Sequence, residues 1–132
     1  MAQVEVTKML DGPRNAAFHI FISGDGSGDA VDVVIIDPAT DFDPVLPASP
    51  GIKLQKIWHD LQGFSVFFEY EYLASDTPLW TITDNGSNCL DFSCFGGITD
   101  RSDIDGSGKI KLTTSGLELG ELGTIILHII KA

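Results

Sequence analysis

Asp103, Asp105 and Ser107 put oxygen-bearing side chains at alternate positions just ahead of Gly108, much as an EF-hand loop prepares to wrap a calcium ion. That loop needs oxygens at positions 1, 3 and 5, a glycine at 6 for the sharp turn, and a glutamate at 12 that gives both carboxylate oxygens to the ion. Ile110 fits the apolar eighth place, but the twelfth is Thr114, which cannot act as a bidentate ligand. The flanks also fail, since Phe95-Gly96-Gly97-Ile98-Thr99 and the strand-like Lys109-Ile110-Lys111-Leu112-Thr113-Thr114 form helices poorly. The EF-hand is set aside. A non-helical Asp-rich calcium turn and a plain polar hairpin turn remain, and the hairpin turn is the default.

Other residues capable of chemistry are scattered. Cys89 and Cys94 are five apart, so in a strand they face opposite ways and stand more than about 10 Å apart, beyond disulfide reach. Two free thiols are expected. A zinc site lacks a second cysteine pair, and His19, His59 and His128 are far apart in sequence. The plentiful carboxylates show no sign of forming an acid/base pair, and no catalytic residue, metal ligand or cofactor site is assigned. Trp58, Trp80 and Phe67 could form an apolar platform for a carbohydrate or receptor if exposed, though such aromatics belong more often to a core.

These side chains must be carried by a chain of 132 residues, expected to be one domain that buries roughly two-thirds of its unfolded surface. Nineteen Asp and Glu against eight Lys and Arg give a formal charge of -11. A polyanion of that kind repels nucleic acid, and its cations are not gathered into a basic patch. No membrane partner is expected either: the N-terminus lacks a long apolar region, and the run Ile125-Ile126-Leu127-His128-Ile129-Ile130 is too short to cross a bilayer. Synthesis and retention in a cytoplasm follow as the expectation.

Short runs rich in Val, Ile, Phe, Tyr and Thr alternate with Gly, Pro, Asp and Asn punctuation. Strands are expected over 4–8, 17–23, 30–36, 52–61, 64–73, 79–83, 89–95, 108–114 and 123–131, forming an all-β, antiparallel, jelly-roll-like sandwich of about eight or nine strands. In 64–72, Val66, Phe68, Tyr70 and Tyr72 share one face, which should be core. The stretch 52–61 is ambiguous: Leu54, Ile57, Trp58 and Leu61 also fit helical spacing, with Ser49 as a cap and Gly63 as a stop.

Asp11-Gly12-Pro13-Arg14, Ile36-Asp37-Pro38, a hairpin from Ile57 through Val66 around Gln62-Gly63, Thr77-Pro78, Phe95-Gly96-Gly97, and Gly108-Lys109-Ile110 with Thr113-Thr114-Ser115-Gly116 follow one another along the chain. Together they resemble small virion structural proteins of tailed bacteriophages, over nearly the whole length, although each motif is short and unspecific by itself. The resemblance implies a non-enzymatic, β-rich protein of the virion, made in the bacterial host cytoplasm. A capsid decoration or cement protein is the favoured form, while some such proteins sit at the neck or tail. It also favours strand over helix for 52–61, and strand is the expectation. The implied partners are the major capsid protein and further copies of the chain, a trimer being favoured. Residues 1–15 are a candidate contact arm. Residues 37–51, with Pro38, Pro44, Pro47 and Pro50, are a candidate contact loop. The chain departs from the family's pattern where Leu73-Ala74 replaces Trp-Asp, and where Asp100, Asp103 and Asp105 stand in a loop that is otherwise Gly- and Ala-rich. If relatives do without those aspartates, calcium is not a requirement of the fold, and a calcium site there stays open as a local addition.

Overall fold

Asn15–Ser23 alternates Ala16, Phe18, Ile20 and Ile22, all buried, with side chains that stay half-buried or exposed, and the same period of two recurs in Leu122–Lys131. A computed structural model describes residues 2–42, 52–72, 76–83, 86–99 and 106–131. Its strands are β1 (Gln3–Asp11), β2 (Asn15–Ser23), β3 (Val33–Ile36), β4 (Ile52–Leu61), β5 (Ser65–Tyr72), β6 (Thr77–Ile82), β7 (Gly86–Asp91), β8 (Ile98–Thr99), β9 (Gly106–Ser115) and β10 (Leu122–Lys131). A short 3-10 turn at Ser93–Phe95 separates β7 from β8.

The strands form two antiparallel sheets, ordered β1-β2-β10-β4-β7 with β8 also on β4, and β3-β9-β5-β6. Apart from β1, each strand of the first half pairs with its counterpart in the second: β2 with β10, β3 with β9, β4 with β7 and β8, β5 with β6. A long hairpin rolled up in this way is a jelly roll. β1 is an addition, laid along the free edge of β2. Between the sheets, Ile20, Ile57, Leu127 and Ile129 meet Val66, Phe68, Tyr70, Ile110 and Leu112 in one core. The buried Tyr70 hydroxyl donates to the Ile98 carbonyl at 3.1 Å, tying β5 to β8 across the sandwich.

β4 is a strand, and a bulge accounts for its helical look. Leu54 pairs with Ile129 and Lys56 with His128, leaving Gln55 as an extra residue. The bulge shifts the inward set from Ile52 and Leu54 to Ile57 and Leu61, which produces the spacing of three seen in the sequence. The expected hairpin around Gln62-Gly63 is corrected, because β4 and β5 lie in different sheets and do not pair. The turn is an inter-sheet corner. Gly63 takes φ +83°, Gln62 donates its N–H to the Leu122 carbonyl at 3.2 Å, and Phe64 closes the end of the core at 1% exposure. The segment expected as one strand over 89–95 is β7, which ends at Asp91, followed by the 3-10 turn. The strand expected over 30–36 starts only at Val33; before it, Ala30 exchanges backbone and side-chain hydrogen bonds with Thr114.

Candidate functional site

Two outward faces remain once the core is filled, and they differ in chemistry. On the smaller sheet the outward charged side chains of β5 and β9 engage one another and their neighbours. Lys111 Nζ lies 3.1 Å from both Glu71 and Asp76, while Lys109 Nζ is 3.9 Å from Glu71 and 4.0 Å from Asp37. Hydrogen bonds to Glu71 and then Asp76 hold the Lys111 ammonium above its ordinary pKa. Glu69 is pushed up, first by burial and then by repulsion from Asp76 and Asp32.

The larger sheet presents ordered rows. Register places Thr7, His19, Ile126, Trp58 and Cys89 side by side across five strands. The next row on one side runs Glu5, Phe21, Thr124, Asp60, Ser87, and the next on the other runs Ala17, His128, Lys56, Asp91. Trp58 is 39% exposed although β4 is an interior strand. Its neighbours Ile126 and Cys89, with Asp60 and Thr124, line an open groove of about 350 Å³. Lys56 Nζ stands over the indole ring, 5.9 Å from its centroid, and 3.8 Å from Asp91, in the row next to the groove's own lining. Burial lowers the His128 pKa, with Lys56 acting in the same sense.

The aromatic residues singled out in the sequence do not converge. Trp80 is 37% exposed, but its ring packs edge-on against buried Phe92 at 4.7 Å, at the margin of the smaller sheet. Phe67 is half-buried between Thr113 and Thr81, on the sheet opposite Trp58. The histidines are likewise apart. His19 and His128 share the outward face, whereas register turns His59 inward opposite Ile125. Its Nδ1 is enclosed with no hydrogen-bond partner among the described residues, and burial lowers its pKa. Both thiols are free and exposed. Among the described residues no group of three or more His, Cys, Asp or Glu is placed to hold a metal ion.

Asp103 and Asp105 lie outside the described residues. Downstream, the places an EF-hand would give to its loop belong to strand β9, and Gly108 takes φ +75° where β9 slips register against β5. Thr114, which spoils the twelfth position, is a buried structural residue. Its hydroxyl accepts from the Ala30 N–H and donates to Asp29, both at 3.0 Å. Asp29 also accepts from the Leu117 and Gly116 N–H groups, and the first of these is the main reason its pKa is lowered.

Sequence reasoning missed the groove because Trp58 read more readily as core than as an exposed platform. What turns it outward is the bulge, visible only in the register, which sets the indole out of phase with Leu54. β1 adds a separate exposed apolar set, with Val6 at 38%, Met9 at 57% and Leu10 at 52% exposure. Compared with known proteins, the chain matches no protein-family model and no curated protein.

Proposed function

We propose that the protein is a non-enzymatic structural component of a tailed-phage virion, a decoration or cement protein that grips junctions between major capsid protein subunits. The sequence resemblance motivates this reading, and the observation that carries it is β1. This strand lies outside the roll formed by β2 to β10 and adds little to the core, yet exposes Val6, Met9 and Leu10 along the sheet's free edge. Among the described residues β1 pairs on one side only, and an edge strand that shows apolar side chains there invites another chain, tempered here by Glu5, Lys8 and the bulge at Met9. A rigid sandwich supports that edge, while many copies around a symmetry axis, a trimer in this reading, would add their grips together. The charge of -11 keeps crowded copies from aggregating and disfavours packaged nucleic acid as the partner.

Co-sedimentation of the purified protein with assembled capsids, and the capsid rupture temperature with and without it, test the proposal. Binding and a rise in rupture temperature are expected, both lost in a folded Val6→Asp, Met9→Asp variant. A protein that stays in the supernatant would sink it.

A further inference from the structure

The row Cys89, Trp58, Ile126 forms the floor of a trough with a distinctive cross-section. Along the strands, each adjacent outward row lies roughly 7 Å away, and both are polar. On one side Asp60 and Thr124 offer a carboxylate and a hydroxyl. On the other, Lys56 and Asp91 are paired and His128 stands beside them. An occupant of this trough must therefore be apolar on its flat face and rich in hydroxyls along both edges. Three adjacent strands set its length at roughly 10 Å.

We propose that this trough binds a neutral saccharide of one or two pyranose rings, with a ring's C–H face stacked on the Trp58 indole. The hydroxyls along one edge donate to Asp60 and share a hydrogen bond with Thr124; those along the other face the Lys56–Asp91 pair. A pyranose matches the alternation of polar, apolar and polar rows, because its C–H bonds cluster on one face while its hydroxyls project sideways. A purely apolar peptide side chain would leave both banks unsatisfied. Acidic sugars are disfavoured by Asp60 and by the net charge of the chain. The site uses no calcium, and it does not depend on the capsid reading: β1 and the trough occupy different parts of the same sheet.

The test is a printed array of neutral and acidic oligosaccharides probed with the full chain, with hits titrated by tryptophan fluorescence. Binding confined to neutral saccharides is expected, at least about tenfold weaker in Trp58→Ala, as for loss of a central aromatic contact. Trp58→Phe should keep most of the affinity, Asp60→Asn should lose part of it, and Trp80→Ala should match the parent. Thermal melts of each variant separate lost binding from lost folding. A blank array overturns the proposal, as does binding that survives Trp58→Ala. It is also overturned if Trp58→Ala abolishes capsid binding while no saccharide is bound, for the trough would then be a protein contact.

Discussion

Lys131, at the end of β10, extends its ammonium to the carboxylate of Asp11 at the end of β1, two strands that do not pair. The same ammonium donates to the Gly12 carbonyl at 2.7 Å and lies 5.0 Å from the Phe42 ring centroid. Its side chain is 7% exposed, so the added outer strand is fastened at its turn by an enclosed ion pair.

Lys131→Met should cost about 2 kcal/mol, in the range for a hydrogen bond to a charged group, because it takes the enclosed ammonium away from the Asp11 carboxylate. The expected readout is a lower urea midpoint with an unchanged slope. Adding Asp11→Leu should restore part of the loss. An unshifted midpoint for the single variant would show that the pair contributes nothing.

Gly123 sits in β10 opposite Leu61, and a Cβ there would stand 2.5 Å from Phe64 Cζ and 2.9 Å from Leu61 Cδ2. Gly123→Ala should therefore destabilise the fold by about 1–3 kcal/mol through overpacking. Combining it with Phe64→Leu should recover more than additivity allows, measured by a double-mutant cycle.

Glu69→Gln should raise the melting temperature at pH 7, because the carboxylate is held there against burial and the charges of Asp76 and Asp32. The gain is expected to be a few tenths of a kcal/mol. Since the folded-state pKa lies above the ordinary 4.5, the parent relieves the penalty by taking up a proton as pH falls. The difference between variant and parent should shrink accordingly, and a constant difference down to pH 4 would contradict this account.

His59 and His128 work in the opposite direction. Both have folded-state pKa values below the ordinary 6.5, chiefly from burial, so the unfolded chain takes up protons first on acidification. Their contribution is complete above about pH 6.5 and is lost as pH falls toward the folded values. Falling net charge relieves self-repulsion over the same range, so comparison with His59→Gln, His128→Gln isolates the effect. Between pH 7.5 and 5.5 the parent should lose stability relative to that variant. Parallel melting curves at the two pH values would refute it.

Strand alternation was legible wherever a strand ran without irregularity. Ala16 to Ile22 in β2 and Val66 to Tyr70 in β5 face inward as their spacing dictates. Legibility failed where one residue changed the phase or direction of the chain. In β4 the bulge at Gln55 imitated a helical period; at Gln62-Gly63 a local turn signal could not reveal that the next strand enters the other sheet. The calcium-like loop misled in a related way, since Thr114 looked like a failed ligand and is instead the anchor of Asp29. Trp58 was visible as a residue but not as a site. Its surroundings come from β7 and β10, whose alignment with β4 is a property of the register.

The extra residue in β4 also has a meaning for insertions and deletions. Removing Gln55 would leave Ile52, Leu54, Ile57 and Leu61 on the inner side and Lys53, Lys56, Trp58 and Asp60 on the outer, since Leu54 and Lys56 already face successive residues of β10. Loss of a neighbour within the regular part of the strand would turn one half of it inside out. What the shortened strand would give up is the Gln55 carbonyl, which accepts the Phe92 N–H at 2.8 Å where β7 gives way to the 3-10 turn. Phe92 in turn supports Trp80. Position 55 is thus a spare beat in the strand's rhythm, one that a lineage could drop while keeping its sheet, at the expense of the corner it holds.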